Sequence, residues 1–307
     1  MSTHFELQGH RGGRGLRPEN TLPSFEAALD AVVDSVETDL QLTRDGVPVV
    51  CHDPLLGGRL CGAPPFPEGT PISRLTLAQL RLYRLDRNPD PQRFRDQAAD
   101  VTPLAARFAA ERGLDPYGVP TLAELFAFAA AYAGESGERA GKSATLRDRA
   151  RHVVFDLELK RVPFHPEAIG DDLIGESAGL LERRVVETAR AAGVAGRTRV
   201  RSFDHRSVRA LRKIAPEIEG AVLVADTAVV DPAEVARRAG AAVYCPSYTF
   251  LDEEQVRKAH AGGVRVLPWT VNDAGAWRRL LAWGVDGLTT DFPDRLAAYL
   301  QTSETAG

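Results

Sequence analysis

Short β-branched or apolar runs recur along the 307-residue chain, most of them followed by longer stretches in which apolar side chains return every three or four positions. The first pattern suits a strand and the second a helix packed by one face. Strands are predicted at 5–9, 35–42, 153–160, 198–202, 220–224, 242–244, 264–270 and 287–290. In the later part of the chain helices are predicted at 180–191, 207–214, 232–239, 253–261, 274–283 and 293–300. Asp204, Asp231, Asp252, Asp273 and Asp291 precede helices, where a carboxylate can accept from the free amides of a first turn. Eight such alternating units predict an α/β protein of the (β/α)8, or TIM, barrel class rather than an open doubly wound sheet.

Two regions break the rhythm. Residues 54–118 are rich in Pro, Gly, Asp and Arg, with helical pattern only near 76–83 and 102–112. They read as an insertion after the second βα region, lying over one end of the barrel. Arg59, Arg74, Arg81 and Arg84 within it are expected to decorate the surface. Residues 134–151 are polar and glycine-rich and are expected to form a mobile loop. The GERAGKS they contain (137–143) is one residue short of a phosphate-binding GxxxxGK[ST] and follows helical sequence instead of a strand, which argues against a nucleotide site. The whole of 1–307 reads as one domain.

Composition narrows the functional classes. With 44% hydrophobic and 26% charged residues the chain can bury a sizeable core, and a net charge of −4 without a basic stripe argues against nucleic acid as a partner. Cys51, Cys61 and Cys245 are odd in number and lack CxxC spacing, which fits neither a disulfide framework nor a zinc ribbon. The longest apolar run, 125–133, is too short to span a bilayer, and the first residues carry no basic-then-apolar leader. A cytoplasmic protein without stable membrane anchoring is the expectation.

The chemistry gathers at predicted strand ends: His10-Arg11, Glu37-x-Asp39, His52-Asp53 and Glu158-x-Lys160. Residues two apart in a strand share a face, so Glu37 projects with Asp39 and Glu158 with Lys160. Pointed at a barrel axis, such charges are tolerated near the open mouth if they are paired or hold a metal, and barrel enzymes keep their reactive groups at the carboxyl ends of strands. Three carboxylates without cysteine make a hard oxygen site suited to Mg2+ or Ca2+. Two histidines beside it can trade protons near neutral pH. The opening GHRGGRGLRPENT (9–21) adds donors, with Gly12, Gly13 and Gly15 allowing close backbone approach, Asn20 or Thr21 as a helix cap, and Glu19 expected to orient a neighbour.

In these motifs the chain resembles the glycerophosphodiester phosphodiesterase family, whose pattern is HR, then E-x-D, then HD. RPENT (17–21), DGVPVVCHDP (45–54), FDLELK (155–160), RSFDH (201–205), LPWTVN (267–272) and DGLTTDFPD (286–294) extend the resemblance across residues 8 to 300. It implies metal-dependent hydrolysis of a small phosphodiester to an alcohol and glycerol 3-phosphate. His10 and His52 would be the acid/base pair, Arg11 and Lys160 would hold phosphate oxygens, and Glu37, Asp39 and Glu158 would ligate the cation. Trp269 and Phe203 would pack against the glycerol or the leaving group, with Asp53 and Asp291 as supports. The alternatives are a metal-dependent sugar isomerase, a phospholipid-cleaving lyase that yields a cyclic phosphate, and a barrel that binds phosphodiesters without cleaving them.

Overall fold

Alternation along the strands turns apolar residues toward an outer layer of helices, and this builds the sheet in the computed structural model. It describes residues 5–304 except 59, 61–64, 89, 164, 166 and 167, so Arg59 and Cys61 lie outside the described residues. The strands are β1 (Glu6–Gly9), β2 (Ser35–Leu42), β3 (Pro48–Val50), β4 (Val154–Leu159), β5 (Thr198–Ser202), β6 (Glu219–Val224), β7 (Val243–Pro246), β8 (Arg265–Val266) and β9 (Gly287–Thr290). Eight are parallel in the order β8-β7-β6-β5-β4-β2-β1-β9. The two ends of that order meet through Asp286 N to Val266 O (3.0 Å), Thr289 N to Pro268 O (3.1 Å) and Val271 N to Thr289 O (2.9 Å). The predicted (β/α)8 barrel is therefore present and nearly closed.

Three local differences from the sequence reading have physical causes. β8 stops at Val266 instead of running to 270, because Pro268 has no amide to give a ladder. β3 is an unpredicted antiparallel partner of β2. It follows a hairpin turn in which Gly46 adopts φ +75° and Thr43 N reaches Val47 O (3.1 Å). Finally, residues 134–151 are not a loop but hold the helices Glu135–Arg139 and Ala144–His152. Ser143 caps the second by accepting from Leu146 N (3.2 Å), and Lys142 is fixed by Glu26 and Asp30, 2.7 Å from each. That lysine therefore ties the segment to the first helix.

The expected insertion is divided. Its helix Pro103–Arg112 buries Leu104, Ala105, Phe108 and Ala109 in the main core, as part of the helical layer. The stretch before it forms a separate small core with Leu56, Ile72, Leu75, Leu80 and Tyr83 against Val49 and Cys51 of the β3 region. Arg81 pairs with Glu124, Arg84 with Asp115 (2.6 Å), and Arg74 is exposed, so none of these three lines the barrel mouth. Cys51 and Cys245 are free and buried. Among the described residues no helix is long and apolar enough to cross a membrane.

Inside the barrel one half is apolar, with Ala221, Leu223, Val243, Cys245 and Leu267. The other half is ionic. Arg199 and Arg201 are fully buried and converge on Asp156 (Nε to Oδ2 and Nε to Oδ1, 2.7 Å each), with Arg199 also on Glu6 and Arg201 on Gln8 (2.7 Å). Burial pulls both arginine pKa values down, but Asp156 and Glu6 hold the Arg199 pKa above its usual value, and Asp156 does the same for Arg201. Removing one partner of such a set leaves a charge stranded in a dry interior. Arg199→Met is therefore expected to cost about 3–5 kcal/mol in chemical denaturation; a loss below about 1 kcal/mol would show that the set is not acting as a unit.

Candidate active site

The loop after β1 turns back on itself at Arg11 (φ +51°) and Gly12 (φ +80°). A Cβ on Gly12 would lie 2.7–2.9 Å from Ser24 atoms, so the close approach of loop and helix demands glycine there. Ser24 Oγ donates to Arg11 O (2.9 Å) and accepts from Gly13 N (3.0 Å), pinning the turn. Of the two cap candidates Thr21 caps the first helix by accepting from Ser24 N, whereas Asn20 donates Nδ2 to Asp39 Oδ2 (2.9 Å) and accepts at Oδ1 from Thr38 Oγ1 (2.8 Å). Asp204, Asp231, Asp252 and Asp273 cap helices as expected. Asp291 does not: the last helix begins at Pro293, and this carboxylate turns to the barrel mouth.

There it meets His10, whose Nδ1 lies 2.6 Å from Asp291 Oδ1. His52, carried past the end of β3, has the same arrangement, with Nδ1 2.7 Å from Asp53 Oδ1. A carboxylate on Nδ1 fixes the ring and leaves Nε2 for other work. Nε2 of His10 lies 3.8 Å from Glu37 Oε2. Burial pushes the His10 pKa down to about 4, although Asp291 pulls the other way, so this imidazole is neutral at neutral pH.

Parallel register sets Asp39 of β2 beside Glu158 of β4. Oxygens of Glu37, Asp39 and Glu158 all lie within 4.8 Å of one another, and all three residues are buried. Burial and neighbouring Asp39 hold the Glu37 pKa well above the usual carboxylate range. Asp39 goes the other way: burial would raise it, but Arg11, His52 and Lys160 hold it far below. Among the described residues Asp39 Oδ1 has no hydrogen-bond donor, with Lys160 Nζ 3.6 Å away. Crowded buried carboxylates with an unsatisfied oxygen fit a hard divalent cation.

Around this set opens a cavity of about 290 Å³, lined by both histidines, Glu37, Glu158, Arg11 and Lys160, with Phe203 and Trp269 on its wall. Asp39 lies beneath it, 0% exposed. Lys160 Nζ donates to Glu158 Oε1 (2.7 Å). Arg11 gives Nη1 to Glu19 (2.7 Å) and sets Nε 3.2 Å from Asp39, so Glu19 does orient a neighbour. Trp269 and Phe203 stand edge to face at 5.6 Å, and the indole Nε1 donates to Cys245 O (2.8 Å). Arg14, Arg93 and Arg201 also line the cavity and were not among the sequence candidates. Arg14 was visible in the glycine-rich opening, but nothing in that motif distinguished it from a turn residue.

Parallel-barrel enzymes work at this end of the sheet, and a mouth that mixes surplus carboxylates with arginine, lysine and imidazole suits an anionic ester; fold and site together define a barrel hydrolase. Comparison with known proteins gives the family. Residues 10–295 match the profile of the glycerophosphoryl diester phosphodiesterase family, and the chain belongs to that family. It is 27% identical to a glycerophosphodiester phosphodiesterase of Caldanaerobacter subterraneus, over 94% of each chain. A crystal structure from Silicibacter pomeroyi named for the same family superimposes with a TM-score of 0.75 at 27% identity, covering 96% of this chain and 92% of that one. An Oleispira antarctica phosphodiesterase, solved with the product sn-glycerol-3-phosphate, shares the fold at TM-score 0.67 and 22% identity over 96% of both chains.

Proposed function

We propose that this chain, a phosphoric diester hydrolase acting on glycerophosphodiesters, works with Mg2+ or Ca2+ held by Glu37, Asp39 and Glu158 and with His10 and His52 as its acid/base pair. The observation that carries this reading is the meeting of three buried carboxylates with two carboxylate-backed imidazoles around one cavity. The product found in the Oleispira relative supports sn-glycerol 3-phosphate as the product here. When bound, the cation supplies Lewis-acid polarisation of a phosphoryl oxygen.

The remaining work falls to side chains. Lys160 and Arg11 hold phosphate oxygens, already oriented by Glu158 and Glu19. Neutral His10 takes a proton from the attacking water at Nε2, while Asp291 steadies the imidazolium that forms. His52, held by Asp53, gives a proton at Nε2 to the departing alcohol oxygen as its bond to phosphorus breaks. Trp269 and Phe203 pack against the glycerol or the leaving group and keep water from the rest of the substrate.

Purified protein with Mg2+ or Ca2+ is expected to release glycerol 3-phosphate from glycerophosphocholine, read by a coupled assay, and to stop when a chelator is added. Absence of release with either ion would overturn the reading. Phosphorus NMR of the same reaction separates it from the lyase alternative, which leaves a cyclic phosphate signal, and an intact diester would indicate a binding barrel.

A further inference from the structure

The flank of the cavity beside His10 gathers three guanidinium groups around shared carboxylates. Arg11 and Arg14 share Glu19, with Arg14 Nε 3.0 Å from Oε2. Arg93 donates Nη2 to Asp291 Oδ2 (2.8 Å), the carboxylate whose other oxygen already holds His10 and lies 3.8 Å from Arg14 Nη1. Three guanidinium groups therefore lean on Glu19, Asp291 and Asp39, and two of these acids are shared further, Asp291 with His10 and Asp39 with the acidic set.

Arg93 comes from the segment before the helix Pro103–Arg112 and is built into place. Its backbone N donates to Asp90 Oδ1 (3.1 Å) and Phe94 N to Asp90 O (2.9 Å). Phe94 is fully buried against Phe292, with the guanidinium carbons of Arg14 and Arg93 at 4.9 and 5.3 Å from its ring. Gln97 Nε2 to Arg14 O (2.7 Å) and Ala98 N to Leu16 O (2.9 Å) strap the segment to the loop after β1. Among the described residues Asp291 is the one acid that the Arg93 guanidinium meets, and the side chain, 44% exposed, lines the cavity.

We propose that Arg93 and Arg14 recognise a second anionic group on the substrate, carried by the alcohol arm of the diester within the cavity that both arginines line. Glycerophosphodiesters with an acidic alcohol are then preferred over matched ones without the acid. This deepens the hydrolase reading above and rests on it. A planar guanidinium held by stacking and by one acid keeps N–H groups aimed outward, ready for a carboxylate or phosphate at little entropic cost.

Glycerophosphoserine and glycerophosphoethanolamine differ by one carboxylate and make the test. The wild-type kcat/KM is expected to favour the serine diester by about tenfold, the effect of one charge-assisted hydrogen bond. Arg93→Ala should bring the two substrates to near equality by raising KM for the serine diester alone, and Arg93→Lys should keep part of the preference. No wild-type preference, or an equal loss of kcat on both substrates in Arg93→Ala, would overturn the proposal; the latter would make Arg93 a positioning residue acting through Asp291. If the wild-type chain cleaves neither diester, the hydrolase reading fails instead. Calorimetric titration of the two diesters then still decides: tighter binding of the serine diester, lost in Arg93→Ala, supports the recognition role, and equal binding overturns it.

Discussion

Replacing His10 with alanine is expected to lower turnover of glycerophosphocholine by about 10²–10⁴-fold, and His52→Ala to do the same, with the barrel intact by circular dichroism. Both imidazoles are held on Nδ1 by a carboxylate and line the cavity, so neither ring is a core residue whose loss opens a large void. The two should part company on a diester whose leaving group is p-nitrophenol. A stable phenolate leaves without being protonated, so a residue that serves only as general acid becomes dispensable there. On that substrate His52→Ala is expected to recover most of its lost rate and His10→Ala to stay slow. Recovery by His10→Ala instead would exchange the two roles, and near-normal rates for both variants on glycerophosphocholine would remove them from the chemistry.

The site was readable in the sequence wherever one strand carries two of its members. Alternation in SVETDLQL puts Glu37 and Asp39 on one face, and the same rule serves Glu158 and Lys160, so those placements need only local geometry. Barrel topology then forces β2 and β4 together, and Asp39 lands beside Glu158. His52 was readable as a motif, but its position depends on the three-residue β3 and on Cys51 N reaching Asp39 O (3.0 Å). The Asp45-Gly46 turn was the available signal for that hairpin.

What long-range closure decides was not readable. Arg93 meets Asp291 across 198 residues of chain from a stretch with no periodicity, and no spacing rule could join them. Asp291 looks like one more helix cap beside Asp252 or Asp273, until three side chains claim it. The error at 134–151 has a similar origin. Glycine and charge there suggested a mobile loop, yet Gly137 has its α-carbon so close to Tyr132 O that a Cβ could not fit, and Lys142 reaches two acids more than 100 residues away. Polar composition reports solvent contact and says little about order when the polar groups have distant partners.

Glu158→Gln is the sharpest test of the acidic set, because the exchange keeps the side chain's size and removes only charge and one ligand oxygen. Among the described residues the Glu158 carboxylate accepts one side-chain hydrogen bond, from Lys160, whereas Asp39→Asn would strand buried Arg11 with Glu19 alone and confuse metal loss with misfolding. Loss of an outer-shell partner of a metal site typically costs roughly 10–100-fold in affinity, and loss of a direct ligand should cost at least as much. The concentration of Mg2+ or Ca2+ that half-restores activity to chelator-treated enzyme is therefore expected to rise by about 10–100-fold or more in Glu158→Gln. A second readout needs no turnover. A cation that binds only the folded chain stabilises it by about 2.7 kcal/mol at a hundred times its Kd, so the Tm of the wild-type protein should climb on titration while that of Glu158→Gln lags at the same concentrations. Identical metal dependence in both readouts would displace Glu158 from the ligand set. Carboxylates this close, with Glu37 driven toward its protonated form, would then be sharing a proton in place of an ion.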